Sequence, residues 1–230
     1  LVGYWVVAPL GMAAYATHRP QAAVPSLPPG IEHEDVTVST SDGLQLHGWY
    51  IPSKNGAAVL TFPRESTTAH AAMLAGQGYG VLLLDMRGYG ESDGDPNALG
   101  WGCTKDIDAG VAYLQSRTDV EYGRIGGMGL SVGGEQMIEA AAANPALRAV
   151  VADGPGERSV RESLIRGPKG YFALPMAAGR TAAVAVHSGQ PVPPALDVLA
   201  ARVAPRALFL IYAEKGGGGE ELCPDYFAAA

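Results

Sequence analysis

At roughly 150 residues per domain, a chain of 230 residues makes one large domain or one domain with an appendage, which excludes a repeat array and a small stapled scaffold. Hydrophobic residues at 47% against 17% charged give enough apolar surface to offset the entropy of folding, so disorder is excluded as well. A net charge of -7, with no cluster of Lys and Arg, argues against a nucleic-acid partner and leaves a small molecule as the default ligand.

The first 16 residues hold no charged side chain but carry Tyr4, Trp5 and Tyr15, and His18-Arg19-Pro20 follows. A bilayer needs about 20 apolar residues, so this stretch alone is too short to cross one. The expectation is that residues 1–19 are the exit half of a transmembrane or signal-anchor helix, with a buried terminal helix as the alternative. Residues 20–32, rich in proline, read as a linker, since closely spaced prolines disfavour helix.

From there the pattern changes to strands. Residues 33–40 and 44–51 alternate apolar with polar around the turn Ser41-Asp42-Gly43, which predicts an antiparallel hairpin. Residues 57–62 and 79–84 are short continuous apolar runs, as in parallel strands buried on both faces, with a helix over 66–77 between them. Helix, strand, helix and strand follow at 104–117, 124–130, 132–143 and 149–152, and a last strand at 207–212. This alternation predicts an α/β doubly wound, mostly parallel sheet. Residues 154–205 interrupt it with glycines and prolines, and such insertions lie over the carboxyl ends of the strands, which makes this segment a lid candidate. The thirty-one glycines and 17 prolines have no collagen-like period and read as turn punctuation, and residues 216–219 are a run of glycine after the last strand. Cys103 and Cys223 lack any metal-ligand or redox spacing and read as unrelated thiols.

Gly129-Leu130-Ser131-Val132-Gly133 matches G-x-S-x-G between a strand-like and a helix-like run. The small residues two before and two after let the backbone close tightly, lifting the serine hydroxyl above the sheet with the positive end of the next helix aimed at it. Ser131 is therefore the candidate nucleophile.

With this elbow, with Asp42-Gly43-Leu44-Gln45-Leu46-His47-Gly48-Trp49 in the hairpin, and with Leu84-Asp85-Met86-Arg87-Gly88-Tyr89-Gly90-Glu91-Ser92 after the fourth strand, the chain resembles the α/β-hydrolase superfamily of serine hydrolases. It is similar to bacterial membrane-anchored hydrolases akin to the dienelactone hydrolase and acylaminopeptidase-like groups. The resemblance covers roughly residues 33–153, with a weaker match over 204–212. It implies the α/β-hydrolase fold for residues 33–230 and attachment to a bacterial inner membrane. It implies an ester, thioester or amide substrate, no metal and no organic cofactor, and in the Asp85–Arg87 segment a structural role.

The same resemblance implies a triad in the order serine, acid, histidine. Glu221, just past the glycine run, is the first choice of acid and Glu220 the second; Asp153, after the preceding strand, is another route, and Glu214 and Asp225 are the other carboxylates nearby. No histidine follows Glu221. His18, His33, His47 and His70 fall in segments that read as structural or surface, and His187 lies in the lid, ahead of the last strand. The run Tyr226-Phe227-Ala228-Ala229-Ala230 reads as the start of a crossover helix, so the chain is expected to be a fragment that stops before the histidine-bearing segment and is inactive as it stands; a fold that has lost its chemistry is the alternative. The oxyanion hole implied would take the backbone N–H of Val132 and a second donor after the third strand. There Thr61-Phe62-Pro63-Arg64 stands where relatives often carry His-Gly, and since Pro63 has no N–H the donors left are Phe62 and Arg64.

Overall fold

Alternation of apolar and polar residues pairs the first two strands and leaves one face half open, whereas the uninterrupted apolar runs sit where both faces are covered. β1 (Glu34–Ser39) and β2 (Gln45–Ile51) form the expected hairpin, closed by Gly43 at φ +88°. β3 (Ala58–Phe62), β4 (Gly80–Leu84), β5 (Ile125–Leu130), β6 (Leu147–Asp153) and β7 (Ala207–Ile211) complete a seven-stranded sheet ordered β1-β2-β4-β3-β5-β6-β7. The pairs from β4 through β7 are parallel, and β1–β2 and β2–β4 are antiparallel. These features come from a computed structural model, which describes residues 6–18, 26–96 and 99–230.

The helices are α1 (Ala8–Thr17), α2 (Arg64–Gly76), α3 (Thr104–Ser116), α4 (Val132–Ala143), α5 (Val160–Ile165), α6 (Pro168–Ser188), α7 (Leu196–Val203) and α8 (Cys223–Ala229). Strand parity divides their packing. Leu60, Leu82, Leu84, Val150 and Ala152 point to one face and form the main core with Ile107 and Leu114 of α3, Met137 and Ile138 of α4, and Leu199 and Val203 of α7. Val81 and Leu83 point to the other, where α2 packs through Ala71, Leu74 and Ala75. The crossovers thus build a sandwich whose strands end, at their carboxyl edge, on β5 and β6 side by side.

The segment 154–205 is more regular than its glycines and prolines suggest. It holds α5, the 21-residue α6 with Pro175 inside it, and α7, which belongs to the main core rather than to the covering layer. α6 is the cover. α1 runs beside it in the same direction: Met12 shares a cleft with Met176 and Ala177, the His18 and His187 rings are 6.0 Å apart, and Ala13 is buried with Trp101, Ala183 and Val184. Among the described residues no helix is long and apolar enough to cross a membrane. Part of the expected anchor and linker, residues 1–5 and 19–25, lies outside the described residues. Cys103 and Cys223 are both free and buried.

Candidate active site

β5 ends one residue before Ser131 and α4 begins one residue after it, so the chain reverses within a single residue. Ser131 stands at φ 51°, ψ -122°, the only residue other than glycine at positive φ among the described residues. An L-residue held there costs on the order of 1–3 kcal/mol and persists only where the surroundings enforce it. Here the Ser131 N–H donates to the Asp153 carbonyl at 2.6 Å, and the Ser131 carbonyl accepts from Gly134 N–H at 2.8 Å. The flanking glycines are required by contact: a Cβ on Gly129 would lie 2.1 Å from the Gly133 carbonyl oxygen, and one on Gly133 would lie 2.2 Å from the Phe62 carbonyl oxygen. The Ser131 side chain is exposed while α4 behind it is buried.

Ser131 and Val132 open into a cavity of about 210 Å³ under α6, whose floor and walls include Trp101, Glu135, Arg158, Arg180 and Glu220. Glu135 is one turn past the serine on α4. Burial pushes its carboxyl up to about 7, against the pull of Arg158 and of the Gly156 N–H, which donates to Oε1 at 3.1 Å. Arg158 is buried, with Nη2 on Glu139 at 2.6 Å and Nη1 on the Glu135 carbonyl at 3.2 Å, while its Nε has no hydrogen-bond partner. The loop that carries it is pinned from the C-terminal side, because the Tyr226 hydroxyl donates to the Gly156 carbonyl at 3.1 Å and the Glu157 N–H to that of Gly218 at 2.7 Å. Glycine-rich residues 216–219 therefore do work beyond flexibility: they bring Glu220 back to the cavity.

The carboxylates singled out from the sequence separate here. Glu220 lines the Ser131 cavity and accepts the Ala213 N–H at 3.0 Å. Glu221 points away, to Arg166 at 2.6 Å. Asp153 ends β6 and contributes its backbone carbonyl to the elbow. Val132 shares the cavity with Ser131; Phe62, wholly buried, is in register with Gly129 and abuts the first turn of α4 without lining the cavity. The Arg64 side chain is neither on the surface nor in the cavity. It is buried, its Nε donates to Asp85 Oδ1 at 2.7 Å with a second, closer contact from Nη2 to Oδ2, and it stacks 4.4 Å over the Trp49 ring. Arg87 is likewise engaged, with Asp106 and Asp42. None of the described histidines lines the cavity; His187 faces a separate cleft with His18, Arg87 and Asp95. Among the described residues no cluster of His, Cys, Asp and Glu is arranged to hold a metal ion.

Sequence reasoning missed Glu135, Arg158, Arg180 and Trp101. A signal for the first existed, since Glu135 and Glu139 are four apart on the helix that follows the elbow; the other three come together only through the fold.

Residues 32–215 match the X-Pro dipeptidyl-peptidase (S15) family. The chain belongs to this family. Its α/β-hydrolase architecture agrees with that of an esterase of Pyrococcus furiosus, at a TM-score of 0.70 and 22% identity over 93% of this chain and 83% of that one. The α/β-hydrolase domain-containing protein WAV2 of Arabidopsis thaliana is 35% identical over 111 residues, 44% of this chain and 35% of that protein. A polyketide transferase of a Penicillium species is 30% identical over 141 residues, 54% of this chain and 46% of that protein. The chain spans less than half the length of the curated relatives it matches.

Proposed function

We propose that the protein is a serine hydrolase that cleaves an ester, thioester or amide through an acyl-enzyme on Ser131. The observation that carries this reading is the exposed serine held at positive φ over a cavity at the carboxyl edge of the sheet. Ser131 Oγ attacks the carbonyl carbon, and its proton passes to an imidazole and then to the leaving group. Water repeats the sequence in reverse to release the acid. The Val132 N–H, at the start of α4, is one oxyanion donor. With the Arg64 guanidinium committed to Asp85, the second is a backbone N–H in the stretch from Phe62 to Arg64. Glu220, on the cavity wall, is the acid that orients the imidazole; Glu221, paired with Arg166, is not.

The imidazole is the part of this mechanism that none of the described histidines brings to the cavity. A transferase using the same serine is a second reading, favoured by the likeness to a polyketide transferase, and differs only in the acceptor of the acyl group.

The test is covalent labelling of the protein, as its gene encodes it, with a fluorophosphonate probe, mapped by mass spectrometry. Labelling is expected on Ser131 and lost in Ser131→Ala. Glu220→Gln should slow it by roughly 100-fold or more, toward the ~10⁴ that an orienting acid can contribute, and Glu221→Gln by less than about threefold. No label on Ser131 would leave a binding or scaffold domain of the same fold as the reading. Products formed with and without an alcohol acceptor separate hydrolase from transferase.

A further inference from the structure

We infer that Arg180 of the lid helix is an anion anchor, so that the preferred substrates carry a carboxylate on the part that enters the cavity beneath α6. This rests on the proposed chemistry at Ser131 only for the word substrate; the binding itself stands on the charges around the cavity.

Those charges are nearly all engaged. Glu157 accepts from the Ser163 hydroxyl and from Arg166 Nη1 at 2.8 Å. Arg158 is held by Glu139, and Glu135 by the Gly156 N–H with the Arg158 Nε 4.0 Å away. Glu220 takes the Ala213 N–H, and its carboxylate is the one set aside above for the imidazole. Arg180 differs. It makes no hydrogen bond or ion pair with any described residue, and acts on Glu135 only across the cavity. It lines both the Ser131 cavity and the adjoining cleft of about 180 Å³ that opens past Met176 and Ala177, so it stands where the two join.

A half-buried guanidinium without a partner offers a planar pair of N–H donors suited to a carboxylate. Two guanidinium groups, Arg180 and the Glu139-bound Arg158, face Glu135, Glu157 and Glu220 around the cavity, a balance that suits a single negative charge better than a phosphate dianion. The volume sets the scale: at about 30 Å³ per water, the cavity holds about seven waters, room for a short dicarboxylate half-ester. The inner guanidinium, Arg158, adds on the same wall a buried Nε that makes no hydrogen bond and stands 4.0 Å from Glu135 Oε2.

The experiment compares monomethyl succinate with dimethyl succinate by ligand-observed NMR titration at neutral pH, in a Ser131→Ala background so that neither ester is consumed. The half-ester is expected to bind about tenfold or more tightly than the diester, the scale of one charge-assisted hydrogen bond. In Arg180→Gln the preference should vanish while the affinity for the diester stays within about twofold, and Arg180→Lys should restore part of it. Because Arg180 bonds to nothing among the described residues, Arg180→Gln should melt with the parent; circular dichroism checks that it does. Equal affinities in the parent, or a preference that survives Arg180→Gln, overturns the inference. Labelling of Ser131 without the preference removes the anchor and keeps the hydrolase, and the preference without labelling does the reverse.

Discussion

At Glu135 a single carboxyl couples the cavity to the stability of the whole domain. Desolvation by α4 and the loop above it outweighs the attraction of Arg158, the Gly156 N–H and Arg180, and Glu162 adds repulsion, so the group sits at about 7 in the folded chain against an ordinary value of 4.5. The unfolded chain therefore loses this proton first. Between pH 4.5 and 7 the native state binds more protons, and the contribution, fully present below 4.5, is lost as pH rises through 7, by about 3 kcal/mol in total. Glu135→Gln keeps an acceptor for Gly156 and removes the titration. The difference in unfolding free energy between the parent and Glu135→Gln should fall as pH is raised from about 4.5 to 7.5, read from urea midpoints. A difference that is flat in pH would mean that Glu135 titrates in the fold as it does in the unfolded chain.

Among the elements, the elbow is the place where contact geometry leaves least room. Gly133→Ala sets a Cβ 2.2 Å from the Phe62 carbonyl oxygen and 2.7 Å from Pro63 Cδ, with backbone on one side and a closed ring on the other. It should cost about 2–3 kcal/mol and lower the melting temperature by roughly 5–10 °C. Gly134→Ala, whose Cβ meets the Gly129 oxygen at 3.1 Å and the Ala152 Cβ at 3.2 Å, should be near neutral, since helix propensity returns about what the crowding takes. Differential scanning calorimetry of the pair decides it, and equal melting temperatures would count against the close approach of β3 to α4. The same elements explain what could be read in advance. Each strand of the sheet and the helices α2, α3 and α4 carry their periodicity within a short window, and the elbow is legible because its glycines are a local steric demand. α6 was illegible: Gly167, Pro168, Gly170, Pro175 and Gly179 punctuate it like a loop, and its length is set by packing against α1 and α5. The choice between Glu220 and Glu221 was equally hidden, because adjacent residues on a 3-10 turn point apart and only the loop's return path says which one faces Ser131.

For the molecule as a whole, the two faces of the sheet are unequal. α3, α4, α7 and α8 close one face from β3 to β7, whereas on the other α2 covers β3 to β5 and stops. Parallel strands are normally covered on both sides, and β7 is also an edge with an open row of backbone donors and acceptors. Phe209 and Ile211 are thus an apolar strip beside an unpaired edge, the combination that recruits another chain. The 230-residue chain is expected to self-associate through it. Phe209→Lys and Ile211→Lys together place two like charges on that strip and should lower the association constant by at least about tenfold, measured by sedimentation equilibrium, since burying two unpaired ammonium groups costs more than ~1.4 kcal/mol. With Phe209 already 62% exposed, its own stability contribution is small, so the double variant should still unfold cooperatively. If the parent stays monomeric at high concentration, or if the double variant associates as strongly, the strip is not the contact.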